Sequence, residues 1–258
     1  MSRSLPWLLG LLLGATLLAV VPPSGALPAA VPAEAATRVQ GGARPAVVER
    51  RVIGQTAKGR KILAYRLGKP GERVVMAIAG MHGNERAPTQ ILRSLRDGRP
   101  IRGIDLWVVP AYNPDGLARH TRKNARGVDL NRNYPYRWRD LDGSYESGRR
   151  AGSERETAAM MQFLREIRPR RIVSFHQPLN GVDTDTKLRS FSRRLSRFLN
   201  LPLKDFNCSG VCHGTMTGWY NHHFAGAAVT VEYGAHPGRH RMRVTAPRQL
   251  LRALGGRR

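Results

Sequence analysis

The chain has 258 residues, of which 41% are hydrophobic, and it carries a formal net charge of +25. This length suffices for the core of one domain, and the sequence contains no internal repeat, which excludes a repeat architecture. Most of the positive charge comes from arginines spread along the chain. We therefore expect no nucleic-acid partner and only a weak attraction to anionic polymers of a cell envelope.

The first segment has the features of a secretory signal peptide. Arg3 precedes an apolar run from Leu5 to Val21, and Pro, Ser, Gly and Ala residues follow it. The run is shorter than the roughly 18 residues of a membrane-spanning helix. We expect residues 1–35 to be a signal peptide and flexible leader, cleaved between about residues 26 and 35, rather than an anchor. The mature protein would be secreted without a membrane span, and residues 43–258 would form one domain.

Four short segments in the first half of this domain predict strands. The first two are separated by a polar turn and predict a hairpin at a sheet edge, whereas the other two are apolar enough for burial on both faces. A helix between the buried strands begins near Pro88 and stops near Gly98. The four segments are Val47 to Ile53, Ile62 to Leu67, Arg73 to Ala79 and Ile104 to Val109.

The second half begins with an irregular stretch from Asn113 to Gly152, which is too long for a neutral connector and is expected to carry function. Ser153 and Glu156 predict a capping box that opens a helix ending at Pro169. Further strands and amphipathic helices follow. These are strands at Arg171 to Phe175 and Ala227 to Val231, a helix from Leu188 to Leu199, and a final helix from Ala246.

The alternation of strands and helices predicts an α/β fold with a mixed, largely parallel central sheet and helices on both faces. In such folds the ligand crevice lies outside the carboxyl ends of the strands. The residues that follow three predicted strand ends are His82 to Glu85, His176 and Glu232. We therefore expect these side chains to meet in one crevice.

These residues suit a catalytic metal. Two histidines and a carboxylate are a common ligand set for a catalytic zinc ion, so His82, Glu85 and His176 are the predicted ligands of one Zn2+. Hydrolysis by zinc-activated water also needs a carboxylate that takes the proton of that water, and Glu232 is the predicted general base. The alternatives are a surface histidine beside a glutamate, and a structural carboxylate paired with an arginine.

Five motifs occur along the chain in the order that is typical of a known family. The motifs are Ala79-Gly-Met-His-Gly-Asn-Glu85, Asn113-Pro-Asp-Gly116, Gly127-Val-Asp-Leu-Asn-Arg-Asn133, Ser174-Phe-His176 and Thr230-Val-Glu232. Through these motifs the sequence resembles the carboxypeptidase A-like zinc carboxypeptidases, and its build is similar to that of the compact bacterial members, which include murein peptide amidases. The resemblance extends over essentially the whole mature chain and implies a zinc carboxypeptidase-like fold.

The resemblance implies the same metal ligands and general base, and it adds a catalytic arginine and a pair of substrate-binding residues. Arg122 matches the arginine that polarises the scissile carbonyl and stabilises the oxyanion. Asn131 and Arg132 match the pair that clamps the free carboxylate of the substrate, a role that suits a guanidinium fork.

The sequence departs from the digestive members of this family near the specificity pocket. An ungapped count back from Glu232 puts Thr217 at the base of that pocket. The same count puts Gly210 at the position where those enzymes have a mobile tyrosine. Tyr220 or Tyr233 could take the place of that tyrosine. A small polar floor suits a polar substrate. The shorter chain also predicts a more open cleft.

The substrate stays open between two classes. Compact bacterial relatives cut peptidoglycan stem peptides between γ-D-Glu and diaminopimelate, and Asp183 and Asp185 could recognise the cationic amine of such a substrate or belong to a solvated loop.

Cys208 and Cys212 are close enough in sequence for a disulfide in an oxidising compartment, with a reduced pair as the alternative.

The leading prediction is an exported zinc metallocarboxypeptidase that hydrolyses a peptide bond next to a free carboxylate, with a peptide or muropeptide as its substrate. The first alternative is a murein peptide amidase. An inactive, basic envelope-binding protein and a zinc deacylase are the other classes considered. The complete catalytic set argues against the former, and the predicted carboxylate clamp argues against the latter.

Overall fold

A computed structural model describes residues 46–207, 210 and 212–258. The predicted signal peptide and leader, residues 1–35, lie outside the described residues, as does Cys208 of the predicted disulfide. These predictions and the boundary of the 43–258 domain therefore stay predictions. In the part of the chain that is described, no helix has the length and apolar character needed to cross a membrane.

Eight strands of the described residues form one mixed sheet. They are β1 (Val47–Gln55), β2 (Lys61–Gly68), β3 (Val74–Ile78), β4 (Asp105–Val109), β5 (Arg171–His176), β6 (Leu179–Asp183), β7 (Leu203–Lys204) and β8 (Ala227–Gly234). Their spatial order is β1-β2-β4-β3-β5-β8-β6-β7. The centre, from β4 through β3 and β5 to β8, is parallel, and the β1–β2 hairpin forms one edge. This confirms the predicted mixed, largely parallel sheet.

Helices cover both faces of this sheet, as predicted. Alternate side chains of a strand point to opposite faces, and Val75 and Ala77 of β3 join one hydrophobic cluster while Met76 and Ile78 join another. The first cluster includes residues of α1, α4 and α6, and the second includes residues of α3 and α5. The helices are α1 (Thr89–Arg96), α2 (Pro114–Arg119), α3 (Arg155–Ile167), α4 (Arg189–Leu199), α5 (Met216–His223) and α6 (Ala246–Leu254).

The predicted capping box of Ser153 and Glu156 was wrong. Helix α3 begins after Glu154, whose side chain forms no capping hydrogen bond. The Ser153 hydroxyl instead accepts a hydrogen bond from Asn133 Nδ2 at 3.0 Å and donates one to Glu154 Oε1 at 2.8 Å. Asn133 belongs to the functional stretch that precedes this helix, so a tertiary contact replaces the local one.

Three other segments differ from their predictions. The stretch from Asn113 to Gly152 contains α2 and two single turns of 3-10 helix, at Leu130–Arg132 and Gly143–Tyr145. The segment that contains Asp183 is strand β6, antiparallel to β8, and not a solvated loop. Strand β8 continues to Gly234, so Glu232 lies inside the strand rather than beyond its end.

Candidate active site

The carboxyl ends of three parallel strands bring the predicted catalytic residues together. His82 follows β3, His176 is the last residue of β5, and Glu232 of β8 is the register partner of His176. Because β5 pairs in parallel with both β3 and β8, these positions share one edge of the sheet. All three side chains and that of Glu85 are buried, and they line one cavity.

The spacing of the metal-binding atoms fits a zinc ion. Glu85 Oε1 lies 2.7 Å from His82 Nδ1, and Glu85 Oε2 lies 2.9 Å from His176 Nδ1. The two histidine Nδ1 atoms are 3.3 Å apart. Ligands at zinc–nitrogen distances of about 2.0–2.1 Å in a tetrahedron are separated by about 3.3 Å. Among the described residues, His82, Glu85 and His176 are the one group of His, Cys, Asp or Glu identified as able to hold a metal ion.

Two further side chains hold the histidine rings in place. His82 Nε2 lies 3.0 Å from Asp129 Oδ1, and His176 Nε2 lies 3.0 Å from Ser174 Oγ. Such partners on the far side of a ring fix the tautomer that leaves Nδ1 free for a metal. Burial alone would lower the pKa of His82, but the carboxylates of Glu85 and Asp129 raise that pKa to about 9. Near neutral pH both nitrogens of the His82 ring therefore carry a proton when no metal is bound, and one of these protons leaves when a metal binds.

The variant Asp129→Asn tests the role of this carboxylate. We expect the zinc affinity to fall by about tenfold or more, because the amide removes the negative charge behind His82 and turns a donor toward Arg122. Competition with a chromophoric chelator measures the affinity. The exposed Asp140→Asn serves as the control with the same charge change. Equal zinc affinities in the two variants would show that Asp129 does not support the metal site.

Arg122 reaches the metal group, which consists of His82, Glu85 and His176, from the loop after α2. Its Nε donates to Asp129 Oδ2 at 2.9 Å and its Nη1 to Glu85 Oε1 at 3.4 Å. Helix α2 itself approaches very closely, because a Cβ atom on Gly83 would lie 1.9 Å from the carbonyl carbon of Gly116. Glycine is therefore required between the two metal ligands of the His82–Glu85 turn.

The residues of the predicted carboxylate clamp line the same cavity. Asn131 Oδ1 accepts a hydrogen bond from the backbone N–H of Met216 at 3.0 Å, so its Nδ2 group remains as a donor. Arg132 is only 4% exposed, and its Nε has no hydrogen-bond partner among the described residues. Burial lowers the pKa of this guanidinium. A buried cationic group without an anionic partner of its own is suited to bind the carboxylate of a ligand.

Glu232 lines the same cavity and is placed beside His176 by the pairing of β8 with β5. Its Oε2 accepts a hydrogen bond from the backbone N–H of Leu179 at 3.2 Å. Burial is the main reason that its pKa is raised above the ordinary value, and the neighbouring Glu85 carboxylate adds to the effect. A carboxylate with a raised pKa is a better proton acceptor for catalysis near neutral pH.

Further polar side chains line the cavity. Thr217 is one of them, and its Oγ1 lies 3.5 Å from Thr230 Oγ1. Asp183 and Asp185 line it as well. Asp183 is 8% exposed, and burial raises its pKa to about 6.

A tyrosine lines the cavity, but not one of those considered from the sequence. Tyr220 and Tyr233 are fully buried and lie outside the lining. The lining instead includes Tyr145, which is 39% exposed, with its ring centroid 4.9 Å from the guanidinium carbon of Arg132 and 5.5 Å from that of Arg122.

Comparison with known proteins agrees with this geometry. The sequence matches the zinc carboxypeptidase family over residues 37–179, which include all three predicted metal ligands. The chain belongs to the zinc carboxypeptidase family. It is therefore a zinc metallopeptidase by family, and the predicted resemblance is confirmed.

Individual relatives fall into two groups. Murein peptide amidase A of Escherichia coli K12 is 32% identical over 181 residues, which cover 64% of this chain and 73% of the relative. Human carboxypeptidase B is 29% identical over 155 residues, covering 47% of this chain and 37% of the relative. The chain is thus similar in sequence both to a murein peptide amidase and to a carboxypeptidase.

Solved structures extend the likeness to the fold. The murein-tripeptide amidase of Escherichia coli O157 superposes with a TM-score of 0.64 at 27% identity, covering 80% of this chain and 92% of that one. The carboxypeptidase A of Helicoverpa armigera has a TM-score of 0.67 at 18% identity, covering 81% of this chain and 68% of that one. The zinc carboxypeptidase fold predicted from the sequence is confirmed.

Sequence analysis missed three residues of the site. Asp129 lies inside a motif that was selected for Asn131 and Arg132, and Ser174 lies two residues before His176, so their positions offered a signal. Tyr145 offered none, because a single tyrosine in an irregular stretch has no periodicity or motif. Only its contact with the two arginines reveals it.

Proposed function

We propose that this protein is an exported zinc peptidase that cleaves the amide bond before a residue with a free carboxylate, and that its substrate is a peptidoglycan stem peptide. One observation carries the proposal. A single cavity is lined by the His–Glu–His group, by Glu232, by two aspartates, and by the buried Arg132, whose Nε has no hydrogen-bond partner among the described residues. It therefore offers a carboxylate-binding cation and an amine-binding anion around one hydrolytic centre.

The residues divide the chemistry among them. His82, Glu85 and His176 would hold a zinc ion, which would supply Lewis acidity toward the scissile carbonyl and lower the pKa of water. Glu232 takes a proton from the attacking water and delivers it to the leaving nitrogen, so that the C–O bond forms while the C–N bond breaks. Arg122 stabilises the negative charge that develops on the carbonyl oxygen.

Positioning depends on Asn131 and Arg132. The Asn131 amide and the Arg132 guanidinium bind the terminal carboxylate and thereby place the preceding amide bond at the metal group. The ring of Tyr145 lies against the guanidiniums of Arg122 and Arg132 and shields this contact from water. Lower local polarity strengthens the ion pair between protein and substrate.

The polar end of the cavity favours a stem peptide over an ordinary peptide. Diaminopimelate carries an amine and a second carboxylate at the end of its side chain. Thr217 offers a hydroxyl, and Asp183 and Asp185 offer negative charge to such an amine. The relatives named murein peptide amidases add support for this substrate class.

The experiment that tests the function compares two substrate pools. The zinc-loaded protein is incubated with the murein tripeptide L-Ala-γ-D-Glu-diaminopimelate and with ordinary peptides that end in aromatic, aliphatic or basic residues. Mass spectrometry follows the products. We expect release of diaminopimelate at a much higher kcat/KM than any ordinary residue. Faster cleavage of ordinary peptides would favour the second candidate, a general carboxypeptidase, which the relationship to human carboxypeptidase B supports.

Asp183 gives the substrate preference a pH dependence. Its carboxyl group has a pKa of about 6, so it is charged above that pH and neutral below it. Lowering the pH from 7 to 5 should raise KM for the tripeptide by about tenfold relative to an analogue with an acetylated side-chain amine. Asp183→Asn should remove this difference, and the exposed Asp140→Asn should retain it. A pH response that is the same for both substrates would contradict an amine-binding role.

Export is proposed from the sequence of residues 1–35. Fractionation of cells that produce the full chain should place the mature protein outside the cytoplasm, with an N-terminus between about residues 26 and 35. Retention of the intact N-terminus in the cytoplasm would contradict it.

A further inference from the structure

A second cavity lies at the amino ends of the central strands, whereas the active site lies at their carboxyl ends. Its lining includes Arg73, which precedes β3, and Arg171, the first residue of β5, together with residues of α4 and α6. The last residue of β5 is the metal ligand His176. At about 3.3 Å per residue, the five steps along this strand place the two sites about 17 Å apart. This cavity has no part in the hydrolytic mechanism.

Three guanidinium groups converge on the cavity. Arg73 Nη2 donates to the backbone carbonyl of Leu254 at 2.6 Å, and Arg194 Nε donates to that of Ala253 at 2.6 Å. Arg171 lies over the ring of Phe191 with its guanidinium carbon 5.4 Å from the ring centroid. The carbonyls at the end of α6 and the aromatic ring thus hold the three cations at fixed positions, and each guanidinium has further N–H groups to offer.

The cavity contains no compensating negative charge. No carboxylate lines it, and the salt bridges of the described residues use other arginines. Those arginines are Arg51, Arg60, Arg66, Arg96, Arg122 and Arg126. Burial, together with the charges of Arg73 and Arg170, lowers the pKa of Arg171. The arginines therefore repel one another, and an anion bound among them would relieve this repulsion.

We propose that this cavity is a binding site for a phosphate group. Arginine forks match the oxygens of phosphate with two parallel hydrogen bonds, and three of them can engage a tetrahedral anion from different sides. Ser190, which also lines the cavity, adds a hydroxyl donor. Free phosphate and a phosphodiester of an anionic polymer share this chemistry. A polymer-borne phosphate would hold the enzyme on a surface while the active site at the carboxyl ends of the strands stays open.

Calorimetric titration with inorganic phosphate at constant ionic strength tests the site. All proteins carry Arg132→Gln, which removes the anion-binding guanidinium of the active site, and all are full-length and zinc-loaded. We expect saturable binding that Arg171→Gln weakens by about tenfold. The matched control is Arg193→Gln, an exposed neighbour on α4 outside the cavity, which should bind as the parent does. Arg194→Gln is the second test variant if Arg171→Gln does not fold.

Linear polyphosphate separates the two sources. If the protein binds polyphosphate more tightly than inorganic phosphate, and Arg171→Gln abolishes this difference, the ligand is a polymer-borne phosphate. Equal affinities for the two identify free phosphate. Equal phosphate affinities in Arg171→Gln and Arg193→Gln, or no saturable binding at all, would overturn the proposal. In the otherwise wild-type protein, Arg171→Gln should leave peptide hydrolysis unchanged, since the two sites lie at opposite ends of the central strands.

Discussion

Glu232→Gln is expected to bind zinc as tightly as the wild-type protein while hydrolysing its substrate at least about 1,000-fold more slowly. Glutamine has nearly the same shape and keeps an oxygen for the backbone N–H of Leu179, which contacts Glu232 at 3.2 Å. It cannot accept the proton of the attacking water. Zinc content is measured by elemental analysis, and turnover of the tripeptide is measured by mass spectrometry.

The matched control for this variant is Glu72→Gln, which makes the same change at an exposed position. It should retain full activity and zinc. If Glu232→Gln lost zinc together with activity, Glu232 would be part of the metal support. Undiminished turnover with full zinc content would remove Glu232 from the mechanism.

Arg132→Gln is expected to raise KM for the tripeptide by about 100-fold, because it leaves the substrate carboxylate without its buried cationic partner. The effect depends on the carboxylate. A tripeptide with an amidated C-terminus should be a poor substrate of the wild-type protein, and Arg132→Gln should change its KM little. Steady-state kinetics with both substrates measures the difference.

Arg139→Gln removes an exposed arginine of the same stretch and serves as the control, with KM unchanged for both substrates. An equal rise in KM for the tripeptide and for its C-terminal amide would indicate a general disturbance of the cavity. In that case Arg132 would have a structural role, and the enzyme would not select for a free carboxylate.

The sequence predicted the metal group because its ligands follow strands with a strong apolar pattern. Arg73 to Ala79 is almost wholly apolar, and Arg171 to Phe175 is a short segment with three apolar residues, a composition typical of central parallel strands. The structure confirms both strands as β3 and β5, and it brings His82 and His176 together at their carboxyl ends. Local pattern and strand direction were sufficient for this part of the site.

Weaker patterns failed where tertiary contacts decide the local structure. Strand β6 contains Asn180 and Gly181, which are poor strand formers, yet its pairing with β8 makes it a strand. Ser153 and Glu156 match a capping box in sequence, but Asn133 engages the serine. A short motif cannot reveal a competing partner that is distant along the chain.

By itself, the sequence determined the α/β class, the His–Glu–His group and Glu232, since each follows from periodicity, spacing or a motif. Only the tertiary structure decided what surrounds them. It shows that Asp129 joins His82 to Arg122, that Tyr145 covers the two arginines, and that three arginines far apart in sequence share a cavity at the amino ends of the central strands. These contacts join residues with no common local pattern, so folding of the chain is what creates them.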